Sequence, residues 1–152
     1  MQVFRIAKTP YINDLTGIGP RIYGGRWNYK GTSLIYTSET RALATLENLV
    51  HVPLSIVPAG YSIAIIKIPD SASIHHIAQS KLPKNWMTYP AQTTLGKLGT
   101  KWANERKTLL LKVPSAIVEQ EYNILINPLH AEMKLVKILK VAEYKFDDRL
   151  SK

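Results

Sequence analysis

The rhythm of apolar and polar positions changes several times along the chain. Residues 61–68 (Tyr-Ser-Ile-Ala-Ile-Ile-Lys-Ile) are an almost unbroken apolar run, the pattern of a strand covered on both faces. Residues 134–145 instead alternate lysine with Leu, Val and Ile, which predicts a strand with one wet face inside the span 136–146. Short β-branched and aromatic runs predict further strands at 3–6, 33–37, 108–113 and 122–126. Between them the period lengthens. Leu43, Leu46, Leu49 and Val50 recur at helical spacing, which predicts a helix of about thirteen residues ending at His51. Thr37 or Ser38 offers its N-cap, Pro53 stops it, and Leu43, Leu46 and Val50 form its inward stripe. Residues 93–106 predict a second helix. Residues 11–25, which hold Gly17, Gly19, Gly24 and Gly25, read as a loop. Strands and helices interleave, so the class is mixed α/β or α+β.

The length, 152 residues, suits one compact domain. Prolines fall singly along the chain as punctuation, with no linker or repeat between them. With 45% apolar and 20% charged residues, a packed core is expected and wholesale disorder is not. The absence of cysteine excludes a disulfide framework, a thiolate metal site and a cysteine nucleophile. Twenty Lys and Arg against eleven Asp and Glu leave a net charge of +9, which favours anionic partners: a nucleic acid, a phosphorylated small molecule or an acidic protein. No apolar run reaches the roughly 20 residues of a membrane helix. Met1-Gln2-Val3-Phe4-Arg5 lacks the apolar stretch of a signal peptide. A cytoplasmic protein with no membrane partner is expected.

Generic chemical motifs are missing. There is no GxGxxG, Walker A or HExxH run. Gly96-Lys97-Leu98-Gly99-Thr100-Lys101 has the wrong spacing for a phosphate loop and falls within the predicted second helix. His75 and His76 are adjacent, which turns their rings apart, and read as solvated loop histidines.

Three segments hold candidate chemistry. In Gly24-Gly25-Arg26-Trp27-Asn28-Tyr29-Lys30-Gly31, glycines let the backbone approach a ligand. Arg26 can clamp a phosphate or carboxylate, and Trp27 offers a stacking face. The same pattern also describes a tight turn with a core Trp and a surface Arg. Glu47 lies beside an apolar stripe with His51 one turn further on. It is either a partly desolvated acid or an ordinary boundary residue paired with that histidine. Ser115 follows a predicted strand and Pro114 but lacks the GxSxG context of a hydrolase nucleophile. Asn123 and Asn127 supply amides that read a ribose or base edge, or that cap turns.

Taken together these segments resemble the RES domain, named for Arg, Glu and Ser. The matching pieces stand in order: Phe4-Arg5; Gly24-Gly25-Arg26-Trp27-Asn28 with Gly31; Tyr36-Thr37-Ser38; Leu46-Glu47 through His51; Leu82-Pro83 with Trp86; Gly99 with Trp102; Val113-Pro114-Ser115; Asn123 with Leu125; Asn127-Pro128-Leu129-His130; and Phe146-Asp147-Asp148-Arg149-Leu150. Thr100, where many relatives have Asp, and Ala131, where a second Pro often stands, depart from the pattern. The resemblance covers nearly the whole chain and implies that 1–152 is one RES domain, similar in fold to ADP-ribosyltransferase toxins, with a central cleft for NAD⁺.

It also implies the toxin of a bacterial toxin–antitoxin pair, acting on NAD⁺ by hydrolysis or phosphorolysis, or transferring ADP-ribose to a protein. The family's triad falls on Arg26, Glu47 and Ser115 and its tyrosine on Tyr36. Trp27, Ser38, His51, Asn123 and Asn127 complete the expected NAD⁺-contacting set. No metal is implied. The expected partner is an antitoxin that blocks the site, with DNA reached only through it.

The residue types suit that chemistry. Nicotinamide leaves NAD⁺ as a neutral group, so the difficulty is the oxocarbenium-like ribose left behind. Glu47 can stabilise that cation, and Arg26 can hold the pyrophosphate. Tyr36 can stack on the nicotinamide or bond the ribose, and Ser115 can bond the ribose or position Glu47. Ser115 is not expected to act as a covalent nucleophile. Two other classes stand beside this one: a basic nucleic-acid-binding domain stacking bases on Trp27, Tyr29, Trp86 and Trp102, and a catalytically dead relative acting as a partner protein.

Overall fold

The computed structural model describes residues 1–53 and 59–151; Pro58, one of the punctuating prolines, lies outside them. The elements, in chain order, are β1 (Gln2–Lys8), α1 (Ile18–Tyr23), β2 (Ile35–Ser38), α2 (Arg41–Leu49), β3 (Tyr61–Lys67), β4 (Ile74–His76), α3 (Thr93–Glu105), β5 (Leu110–Pro114), β6 (Tyr122–Ile126) and β7 (Lys137–Tyr144), with short 3-10 turns between some of them. The strands form one sheet in the order β4-β5-β6-β2-β1-β3-β7. Every pairing is antiparallel except β4 with β5. The mixed α/β class is therefore observed, and no helix among the described residues is long and apolar enough to cross a membrane.

Side chains alternate across a sheet, and the two faces have different coverings. On one face Val3, Ile35, Ala64, Ile66, Leu110, Ile124 and Ile126 form a single apolar cluster with Ile12 and Val136. The opposite face carries two separate clusters. One gathers Trp27, Leu34, Trp86, Leu95, Trp102, Leu111, Val113 and Leu125 beneath α3. The other gathers Ile6, Ala44, Ile63 and Phe146 beneath α2. The interval between them leaves room for a cleft.

Several expectations need correction. The glycine-bearing stretch 11–25 is not all loop: α1 runs from Ile18 to Tyr23, entered through Gly17 at φ +70° and left through Gly24 at φ +74°. The next helix starts later than expected. Its N-cap is Thr40, whose hydroxyl accepts the Leu43 N–H, because Thr37 and Ser38 are held in β2. It ends at Leu49, ahead of Pro53. His75 and His76 belong to β4, an outer strand, rather than a loop; both are exposed, and the His76 ring meets Tyr122 edge-on at 5.3 Å.

Candidate active site

A pocket of about 180 Å³ opens between α2 and the β1–β2 part of the sheet. Ala44, Glu47, Asn48 and His51 line it from the helix side, at the i, i+3, i+4, i+7 spacing of one helix face. Phe4, Tyr36, Ser38 and Asn123 line it from the strands. The inward stripe expected of Leu43, Leu46 and Val50 is only partly right. Leu43 is buried, but Leu46 and Val50 are 40% and 56% exposed. The helix is rotated so that small Ala44 packs on Ile6 and Ile63, which brings Glu47 in and sends Leu46 and Val50 out.

Glu47 is held at one oxygen. The Ser115 hydroxyl donates to Glu47 Oε1 at 2.8 Å, and the Asn123 side-chain amide donates to the same atom. Ser115 is itself buried. Its oxygen accepts the backbone N–H groups of Ile117 and Val118, each at 3.1 Å. With its proton directed at Glu47 and its oxygen occupied by two donors, the hydroxyl is placed to hold the acid rather than to attack. Asn123 Oδ1 accepts from the Ser38 hydroxyl at 2.7 Å, because the β2–β6 register sets Ser38 directly opposite Asn123.

Arg26 approaches from the other cluster. Its Nη1 donates to the carbonyls of Trp86 at 2.8 Å and Thr88 at 3.2 Å, which anchors one nitrogen and leaves the rest of the fork. Burial lowers its pKa, while the nearby Glu47 and Tyr36 favour its charged form. Tyr36 is half-buried, and the water it loses pushes its phenol well up from the ordinary value. The neutral hydroxyl donates to Asn28 Oδ1 at 2.8 Å and accepts the Trp27 backbone N–H at 3.1 Å. It therefore pins the turn that carries Arg26, and its ring forms pocket wall.

Two steric facts make this turn possible. A Cβ on Gly25 would come within 2.6 Å of the Tyr36 hydroxyl, and one on Gly99 within 1.8 Å of the Trp27 carbonyl oxygen. Only glycine lets α3 lie directly on the turn.

Two expected ligand contacts lie outside the pocket lining. Trp27 is 2% exposed and packs with Trp86, Leu95 and Trp102, so its ring serves the core. Asn127 is 1% exposed; its amide donates to the Ala103 carbonyl at 2.9 Å and its oxygen accepts the Leu129 N–H at 3.0 Å. It ties the end of β6 to α3, away from the pocket. His51 stands exposed at the pocket's rim.

Sequence reasoning gave no role to Asn28, which is buried and donates to the carbonyls of Pro20, Tyr29 and Thr32. An Asn inside a glycine-flanked turn was the available signal. Arg5 is a strut. Strand alternation sends it to the face opposite Phe4 and Ile6, where it donates to the Asp14 and Tyr11 carbonyls. No group of three or more His, Asp or Glu able to hold a metal occurs among the described residues.

A carboxylate clamped by a serine and an asparagine at the wall of a pocket, close enough to an arginine to favour its charged form, on one face of a mixed sheet, defines a class of small α/β domains. The family model described as the RES domain matches residues 2–147, and the chain belongs to that family. It is 39% identical over 146 residues to a protein of Sphingobium sp. (strain YBL2) named "Prs ADP-ribosylating toxin", covering 95% of this chain and 91% of that one. It is 36% identical over 152 residues to "Toxin Res" of Yersinia enterocolitica, covering 99% of each. In fold it is similar to a chain of the crystal structure of the M. tuberculosis MbcT–MbcA toxin–antitoxin complex. The TM-score is 0.74 at 15% identity, over 99% of this chain and 86% of that one.

Proposed function

We propose that this protein is a toxin that consumes NAD⁺ by cleaving the bond between nicotinamide and ribose. The observation that carries the reading is Glu47, a carboxylate with one oxygen fixed by Ser115 and Asn123 at the wall of a pocket. Family membership and the toxin names of the relatives support it. Glu47 stabilises the oxocarbenium-like ribose as nicotinamide departs and orients the group that attacks C1′. The pocket's 180 Å³ is below the roughly 300–1,000 Å³ of sites that enclose a drug-sized ligand. It suits one end of a dinucleotide, the nicotinamide riboside, with the pyrophosphate on the rim within reach of Arg26.

Water or phosphate serves as acceptor. A protein acceptor is the second reading, favoured by the ADP-ribosylating name of the Sphingobium relative. The nucleic-acid reading loses three of its four stacking rings, because Trp27, Trp86 and Trp102 lie in the core and only Tyr29 of the set stays exposed. An enzyme that drains cytoplasmic NAD⁺ requires restraint. The complex in which the structural neighbour occurs supports an antitoxin as the partner, and the net charge of +9 favours one with acidic groups at the contact. We place its contact at the cleft, with a carboxylate against Arg26 where the pyrophosphate otherwise sits.

Incubation of the purified protein with NAD⁺, with and without phosphate and with and without cell lysate, followed by mass-spectrometric identification of products, tests the reading. Free nicotinamide is expected in at least one arm. Intact NAD⁺ in every arm overturns it.

A further inference from the structure

We propose that Ser38 is a positioning residue that acts on Glu47 through Asn123, and that neither Ser38 nor Asn123 is primarily a ligand contact. This rests on the reading of Glu47 as the carboxylate that meets the ribose. An asparagine amide has two orientations of nearly equal shape. Only one turns the NH₂ group to Glu47. The other sets Asn123 Oδ1 against Glu47 Oε1, two acceptors facing each other.

Glu47, which only accepts, selects the productive orientation, and the Ser38 hydroxyl, 2.7 Å from Asn123 Oδ1, holds it by donating to that oxygen. A carbonyl oxygen only accepts, so the serine proton must point to Asn123 and is not available to a substrate hydroxyl. Ser38 is buried, and its reach is set by backbone register, since Ser38 and Asn123 are directly paired on antiparallel strands. The result is a one-way series of donors: Ser38 to Asn123, then Asn123 to Glu47 Oε1, where Ser115 also donates. With Ser38 buried and Asn123 and Glu47 half-buried, such a series is mutually reinforcing. It pins Oε1 and leaves Oε2 as the oxygen without these donors.

The test combines steady-state kinetics on NAD⁺ with NMR of the Asn123 side-chain amide, assigned through its disappearance in Asn123→Ala. Ser38→Ala is expected to lower kcat about tenfold, the scale of one lost hydrogen bond near a charged group, with KM within about twofold of wild type. Ser38→Thr, which keeps the hydroxyl on a strand that tolerates β-branching, restores most of the loss. In Ser38→Ala the Asn123 NH₂ protons exchange with water at least about fivefold faster, and in Ser38→Thr they do not. If Ser38→Ala lacks a cooperative unfolding transition, Ser38→Cys, of similar volume and weaker donor strength, replaces it. A raised KM with unchanged kcat makes Ser38 a ligand contact and overturns the proposal, as does unaltered amide exchange. If wild type leaves NAD⁺ intact, the functional reading fails, while the exchange measurement still decides what Ser38 does.

Discussion

Ser115 and Glu47 meet through a 2.8 Å hydrogen bond although 68 positions separate them in the chain. The serine sits at the turn after β5, where its oxygen also collects the N–H groups of Ile117 and Val118. Ser115→Ala therefore removes a support of the acid and an acceptor for two backbone donors. Stability is expected to fall by about 1–3 kcal/mol, the cost of leaving a buried donor unpaired, and turnover by about tenfold to a hundredfold. Urea unfolding and NAD⁺ consumption measure the two losses. Complete loss of turnover in a folded variant would point to a covalent role instead.

Glu47→Gln keeps an oxygen that accepts from Ser115 and Asn123 but removes the charge. Turnover is expected to drop by roughly 10²–10³-fold with the thermal midpoint little changed. Product formation near the wild-type rate would take the chemical step away from Glu47.

Arg26 has one nitrogen engaged with the Trp86 and Thr88 carbonyls. A lysine cannot hold that anchor and a ligand anion in a fork. Arg26→Lys is expected to raise KM for NAD⁺ by about tenfold or more. On the cleft-plug reading of the antitoxin, Arg26→Ala weakens partner binding as well, and NAD⁺ competes with the partner. Calorimetric titration of the purified pair, with and without NAD⁺, checks both statements.

Burial raises the Tyr36 phenol above the ordinary value of 10.0. The folded state therefore favours the neutral form. The stability this group supplies is intact below pH about 10 and declines as pH rises above it, because the unfolded chain ionises first. Tyr36→Phe is expected to be less stable at neutral pH but to show a shallower alkaline decline. Thermal melts from pH 8 to 11 compare the slopes.

Gly99→Ala would set a methyl carbon 1.8 Å from the Trp27 carbonyl oxygen, backbone against a side chain with no freedom to withdraw. The loss is expected to exceed the ~1–3 kcal/mol usual for overpacking. A cooperative melt within a few degrees of wild type would show that α3 can lift off the turn.

Strands were the most legible elements. The apolar run around Ile63 and Ile66 and the lysine alternation after Lys134 emerge as β3 and β7. The three-residue strand at Ile74 and the six-residue helix at Ile18 were not legible, because neither is long enough to show a period. Sequence spacing places Glu47 on a helix and Leu43 on its inward side but errs on Leu46 and Val50, since rotation of α2 depends on how closely Ala44 approaches Ile6 and Ile63. The resemblance singled out Ser115, Asn123 and Ser38. That they form one chain ending on Glu47 follows from the β2–β6 register, and register has no local signature. Trp27 lies in the core and Asn127 at a cap, and a core tryptophan and a capping asparagine have the same letters as ligand contacts.

Phe146 packs with Ile6, Ala44 and Ile63 beneath the helix that carries Glu47. During ribosomal synthesis the acid emerges early, its two donors follow with β5 and β6, and the ring that seals its support arrives only after β7. The site is therefore completed only once the segment carrying Phe146 has left the ribosome, and a chain cut short of that residue keeps Ser38, Glu47, Ser115 and Asn123 but lacks the ring beneath them.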